Sequence, residues 1–447
     1  TMEKTVKKRI SLINAVVSNK EGKIFELDGY AAVGMEGPSL VPLKLNETIH
    51  MPFGSELMFL PDRKPMLYNI RTGSLEILTE NPHMPGEEIF PVAVFNPPGY
   101  VISCVSAYKE KKNAGYLPLF SYGAVGWHKG LFRSAAIRVD LERRQDLRLM
   151  NKRKIIAGIK KIRKKMPKNR LRKQLETCAL TFGCPAGKNF FLERYEAPLP
   201  TSKGCNARCL GCISLQKTGD IPISQERISF MPSPEEISEI ALEHIQKVDK
   251  SIVSFGQGCE GDPLLSAEVI EPAIRIIRSK TKKGTININT NGSKPDILKK
   301  LFTAGLDSVR ISMNSVRKKC YHAYFRPTGY TFSDVTKSIA VAGCEKKFIS
   351  LNYLNIPGFT DTPEEIEALL TFIKSQEIDM IQWRNLNFDP VRYLTTMDSV
   401  SKQGKPIGMK NLFDLVKNSF PRLKTGYFNP PKEKFYALEK KSPSPDR

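Results

Sequence analysis

From Pro198 onward, short apolar runs alternate with amphipathic ones, and that alternation narrows the possible folds more than any other feature of the chain. Runs of strand length stand at Ser251–Phe255, Thr285–Asn289, Ser308–Met313, Phe348–Leu354 and Met380–Asn385. Between them, helical spacing marks Val269–Ser279, Lys294–Ala304, Phe332–Ala342 and Pro363–Lys374. An earlier helix opens at Ser233-Pro234-Glu235-Glu236, with a serine cap, proline at the first helical position and acids in the first turn. Its residues Ile237, Ile240, Ala241, Ile245 and Val248 form one apolar stripe. Parallel strands need a crossover and antiparallel ones do not, so this rhythm predicts a parallel α/β sheet. The series makes most of a (β/α) barrel, a fold whose chemistry sits at the C-terminal ends of its strands.

The region before it reads differently. Leu12–Val17, Ala93–Phe95 and Tyr100–Val105 are short apolar runs broken by Gly, Pro and Asn, which predicts a β-rich domain over residues 1–142. Its aromatics Tyr116, Phe120, Tyr122, Trp127 and Phe132 stand near Lys129 and Arg133. That mixture suits base stacking, but burial preferences favour strand core. Composition then shifts. Between Arg143 and Lys173 fifteen basic residues face one acid, Asp146, in a chain whose net charge is +23. Ile155, Ile159, Ile162 and Met166 make one apolar stripe of a helix that Pro167 ends. Charge gathered so locally suits a polyanion, RNA above all. A protein partner, a membrane surface or an inert basic linker remain alternatives for this connector over 143–178.

No apolar run reaches the length of about eighteen residues that a membrane span needs, so no transmembrane segment is expected. The charged opening Thr1-Met2-Glu3-Lys4 lacks an apolar signal core, and nine cysteines without a regular framework suit a reducing compartment. Both point to a cytoplasmic protein. The stretch 396–447 reads as a C-terminal extension, with a helix near Phe413, Leu415 and Val416 and a basic, mobile tail from Lys432.

Three cysteines, Cys205, Cys209 and Cys212, lie within eight residues of the loop Gly204-Cys205-Asn206-Ala207-Arg208-Cys209-Leu210-Gly211-Cys212. Three thiolates leave one metal position open, which suits catalysis better than a closed structural site. A zinc knuckle or three buried thiols are the alternatives. Cys178 and Cys184 lie just upstream, where they suit part of an auxiliary metal site or, more simply, buried structural positions.

This CxxxCxxC loop after a strand resembles the signature of radical S-adenosylmethionine (SAM) enzymes, and the resemblance extends from about Leu199 to Asn387. It implies a partial (β/α)6 TIM-like barrel over residues 179–395, with a [4Fe-4S] cluster on Cys205, Cys209 and Cys212 and SAM on the fourth iron. Gly256-Gln257-Gly258-Cys259-Glu260-Gly261-Asp262-Pro263 is similar to the family's glycine-rich motif. Gly258, Glu260, Gly261 and Asp262 are then the expected SAM-binding positions, with either acid as acceptor for the SAM amine. Asn291, within Asn289-Thr290-Asn291-Gly292, and Ser312 and Asn314, within Arg310–Ser315, stand where the family holds its cofactor. Ile356, before Pro357-Gly358, would rest on adenine. On the sixth strand, polar density around Gln382, Arg384 and Asn385 marks Arg384 as a further binding residue.

The resemblance implies reductive cleavage of SAM to methionine and a 5′-deoxyadenosyl radical, fed by an external electron donor of flavodoxin or ferredoxin type. Cys259, inside the glycine motif, is a candidate hydrogen or methyl carrier, set against a small residue tolerated beside glycine. His322, in a loop at the barrel mouth, is a second catalytic candidate, set against a structural histidine. Modification of RNA, by methylation or related C–H functionalisation, is the expected reaction. The same chemistry on a protein or peptide, or a non-catalytic metal-stabilised nucleic-acid-binding protein, are the rivals.

Overall fold

The computed structural model describes residues 11–216 and 219–436. Of the mobile tail expected from Lys432, residues 432–436 are held in place, with Phe435 buried and stacked on Phe348, and the remainder lies outside the described residues. Between Asn14 and Arg138 the chain forms antiparallel strands of two to eight residues, gathered into one ten-stranded sheet and two smaller ones. Tyr122 is buried there and Trp127 packs edge-on against Phe132, so these aromatics serve the core, whereas Tyr116 is exposed beneath Arg392.

The stretch expected as a basic connector folds into α1 (Lys152–Lys165), α2 (Arg170–Leu180) and α3 (Pro185–Phe191). Ile155, Ile159 and Ile162 enter the same apolar core as the barrel helices. Asn169 donates to the Glu236 carbonyl at 2.9 Å, and Lys165 pairs with Glu243, so α1 and α2 are fastened to the barrel.

Seven strands form one parallel sheet in sequence order: β1 (Glu196–Pro198), β2 (Ile252–Phe255), β3 (Thr285–Thr290), β4 (Ser308–Met313), β5 (Phe348–Asn355), β6 (Met380–Asn385) and β7 (Lys424–Gly426). Six were expected. The seventh comes from the C-terminal stretch and pairs with β6; at three residues, with no apolar run, it leaves no pattern to read. Helices α4 (Pro234–Lys247), α5 (Ala267–Lys280), α6 (Pro295–Ala304), α7 (Lys318–Phe325), α8 (Phe332–Cys344) and α9 (Pro363–Ser375) follow the successive strands. Ser233 caps α4 reciprocally with Glu236, as the sequence predicts. No helix among the described residues is long and apolar enough to cross a membrane.

The β domain docks on the C-terminal ends of β5 and β6. The Ile102 amide donates to Asn385 Oδ1 at 2.9 Å, and Asn385 Nδ2 returns a bond to the Tyr100 carbonyl at 3.0 Å. Arg63, buried, pairs with Asp389 at 3.3 Å and Glu110 at 2.9 Å, while the Leu117 amide also reaches Asp389. Gly358 adopts φ +88° and lies so close to Gly37 that a Cβ there would stand 1.8 Å from the Gly37 nitrogen. The β domain is thereby packed against the C-terminal ends of β5 and β6.

Candidate active site

The cysteine loop follows β1 and is held by backbone bonds. Gly261 N donates to the Ser202 carbonyl at 2.7 Å, and Asp262 N to the Gly204 carbonyl at 2.9 Å. On the other side, Arg208 N and Leu210 N donate to the carbonyls of Phe325 and Tyr324 at the end of α7. A Cβ on Gly261 would stand 1.7 Å from the Gly204 oxygen, so only glycine lets the two loops meet. Gly256 solves a second close approach, to the Asn289 carbonyl, at φ +79°.

Cys205, Cys209 and Cys212 line one cavity of about 420 Å³, within the size range of ligand sites. Burial, then the Asp262 charge, pushes the Cys205 thiol up to about 11; burial and the other two thiols push Cys209 well above its usual value. Arg227 donates to Cys212 Sγ at 3.4 Å. Binding a metal there must displace protons, which couples loading to pH. Among the described residues no three His, Cys, Asp or Glu side chains are gathered tightly enough to grip one ion. A cubane cluster asks for something else, since each thiolate takes a different iron and the sulfurs ring the cluster. Three cysteines opening on a shared cavity, with no fourth protein ligand, fit that demand.

The glycine loop forms the adjoining wall, where Gly258, Glu260, Gly261 and Asp262 all line the cavity. The two acids are occupied, however. Glu260 accepts the amides of Thr201, Ser202, Gly256 and Gln257 at 2.7 to 2.9 Å, and the Thr201 hydroxyl at 3.2 Å. Five donors use the acceptor capacity of a carboxylate. Burial raises its pKa to about 7 against the lowering effect of those amides. Asp262 accepts the Thr290 hydroxyl at 2.8 Å, Asn291 N at 2.7 Å and Leu264 N at 3.0 Å, tying the glycine loop to the end of β3.

Asn291, Ser312 and Arg384 line the cavity as well. Asn314, Ile356, Cys259 and His322 do not. Asn314 is buried and donates to the Tyr393 hydroxyl at 3.0 Å. Ile356 lies in the apolar core; Leu354, two residues earlier on β5, faces the cavity instead. The Cys259 thiol is buried against the Cys178 thiol. His322 Nε2 accepts the Phe332 amide at 3.2 Å, and burial lowers its pKa. Cavity residues that the sequence reading passed over include Arg227, Asn352 and, above all, Arg310 on β4. Arg310 and Ser312 alternate, as Gln382 and Arg384 do, and that period-two polarity was the available signal.

The Radical SAM superfamily model matches residues 199–373. No curated protein matches the chain. Among solved structures, methylornithine synthase (PylB) is similar at 14% identity and a TM-score of 0.38, over 55% of this chain and 69% of that one. The structure titled anSMEcpe with bound AdoMet aligns at 19% identity and 0.38, over 52% of this chain and 64% of its own. Streptococcus suis SuiB aligns at 15% and 0.38, over 58% and 53%. The chain thus spans less than two thirds of the latter two, and at these identities the likeness is one of fold. Through residues 199–373 the chain belongs to the radical SAM superfamily, whose members bind a [4Fe-4S] cluster and SAM.

Proposed function

We propose that this enzyme functionalises a C–H bond at the cavity, with RNA as its substrate and an electron donor of flavodoxin or ferredoxin type. The bound cluster and SAM supply reductive cleavage to methionine and a 5′-deoxyadenosyl radical that removes hydrogen from substrate. Cys205, Cys209 and Cys212 would hold three irons. With Glu260 and Asp262 occupied by amides and a hydroxyl, the turn carbonyls become the acceptors for the SAM amine, those of Gly256 and Gln257 through the lone pair not taken by Asn289 Nδ2 or Glu260 N. Leu354 offers an apolar side to adenine. All nine cysteines are free, which favours a reducing, cytoplasmic setting.

The observation that carries the reading is one cavity that collects the cysteine loop, the glycine loop and the polar inner strand ends. Anaerobically reconstituted protein, reduced in the presence of SAM, is expected to release 5′-deoxyadenosine. Stoichiometric zinc with no SAM turnover would return the loop to a structural role.

RNA is favoured by α1, α2 and their flanks. Eight of the fifteen basic residues are paired with acids, including Lys161 with Glu193 and Arg170 with Glu236. Lys152, Arg153, Lys154, Lys160, Lys164, Lys168 and Lys173 are exposed and carry no ion pair among the described residues. If all seven meet phosphates, the affinity for single-stranded RNA falls with a log–log salt slope of about −5. Glutamine at Lys152, Arg153, Lys154 and Lys160 should reduce that slope by about 3. An unchanged slope would favour a protein or peptide substrate.

A further inference from the structure

Two guanidinium groups face the cavity with no acid in ion-pair contact; Glu196, which lines the same space, acts on Arg310 only through its charge. Arg310 comes from the middle of β4 and Arg384 from β6, both on the inner face of the sheet, and both line the same space as the cysteines. Arg310 Nη1 donates to Gln382 Oε1 at 3.0 Å, and Arg384 lies 3.8 Å over the Tyr427 ring. Neither takes part in an ion pair among the described residues, and the Nε of each is enclosed with no hydrogen-bond partner. Asn352 Oδ1, also facing the cavity, is likewise unpartnered.

The nearby acids are occupied. Glu196 is bonded by Arg144 at 2.8 Å, by Asn429 at 2.8 Å and by the Ser254 hydroxyl. Glu260 and Asp262 hold the backbone amides described above. Burial, and then the charge of Arg384, draws the Arg310 guanidinium down to about 9. Partly buried cations whose nearest acid, Glu196, is already paired with Arg144 lose hydration with little attraction to offset it. A planar guanidinium with a free Nε presents a fork that matches the two oxygens of a carboxylate or phosphate.

We propose that Arg310 and Arg384 form a receptor for an oxyanion carried by the substrate, a phosphate or a carboxylate, additional to the carboxylate of SAM. This rests on the reading of the cavity as the SAM site. A separate cation, Arg227, already stands beside Cys212 on the cysteine side of the same cavity, available to the cofactor's own carboxylate. The Arg310–Arg384 pair is thus left for a second anion, and it fixes which end of the substrate enters first.

The test uses reconstituted holoenzyme saturated with SAM and titrated calorimetrically with inorganic phosphate and, separately, with acetate. Saturable binding of one of them is expected, weakened about tenfold or more by Arg310→Gln or Arg384→Gln, as for loss of a charged hydrogen-bond pair. Arg310→Lys should recover part of it. Cluster absorbance and SAM affinity, measured on the same samples, report folding and are expected to stay near wild type. No anion binding in the presence of SAM overturns the proposal. So does binding seen only without SAM, or an equal loss of SAM affinity, because the arginines then hold the cofactor. Stronger phosphate binding supports a phosphate-bearing substrate. Stronger acetate binding supports the receptor and removes RNA. Release of 5′-deoxyadenosine by wild-type protein, scored separately, tells failure of the receptor from failure of the SAM reading.

Discussion

Replacing Gly261 by alanine would drive a methyl group into the backbone of the cysteine loop. The new Cβ would stand 1.7 Å from the Gly204 oxygen, 2.4 Å from its carbonyl carbon and 3.1 Å from the Cys205 nitrogen. These are backbone atoms, so no rotamer change relieves the clash and the two loops must separate. Separation breaks the bonds from Gly261 N to Ser202 at 2.7 Å and from Asp262 N to Gly204 at 2.9 Å. At about 0.5–1.5 kcal/mol each, their loss removes about 1–3 kcal/mol. Forcing the backbone apart adds about 1–3 kcal/mol. Gly261 has no positive φ, so the effect is one of space and not of conformation. Gly258→Ala is the internal control, since its Cβ would meet the ends of Ile213 and Gln225, which can move. Urea unfolding of apo protein should show a loss of about 2–6 kcal/mol for Gly261→Ala. The corresponding loss for Gly258→Ala should be under about 2 kcal/mol. Reconstituted Gly261→Ala should bind substoichiometric iron. Wild-type stability together with full iron loading in that variant would refute the account of how the cysteine loop is positioned.

Asp389→Ala should destabilise the protein by about 3–5 kcal/mol, because it leaves Arg63 buried between the two domains beside Glu110 alone; urea unfolding measures it. Burial and the charges of Asp361 and Glu47 raise the Glu36 carboxyl to about 7, and burial raises Asp361 to about 6. Both folded-state values exceed the unfolded ones, so stability is fully present below about pH 4 and declines as pH rises towards 7. Glu36→Gln should flatten that decline in a series of melting temperatures. His322→Ala should leave SAM cleavage within about threefold of wild type, since the imidazole bonds the Phe332 amide away from the cavity. A larger loss, read as 5′-deoxyadenosine released, would restore it as a catalytic candidate.

The strands and helices after Pro198 were legible because each is long enough to show its period. Ser308–Met313 and Met380–Asn385 agree end to end with the sequence reading. Strand β7 was not, since Lys424-Thr425-Gly426 is placed by pairing with β6 and not by its own composition. The binding loops were legible as motifs, but the division of labour within them was not. Glu260 looks like a ligand residue until the four amides around it are seen, and those come from two loops separated by over fifty residues. Leu354 lies on β5 and Ile356 just past its end at Asn355, where the chain turns and the two-residue period no longer holds. The basic run looked like a free surface because its acids, Glu193, Glu236 and Glu243, lie far along the chain.

The most direct measurement is the Mössbauer spectrum of iron-57-reconstituted protein, prepared without air, with and without SAM. A four-iron cluster in which one iron site changes when SAM is added, and which is absent from the Cys205→Ala/Cys209→Ala/Cys212→Ala variant, is the expected result. A spectrum without a cuboidal cluster, or one that survives loss of all three thiols, would contradict the account.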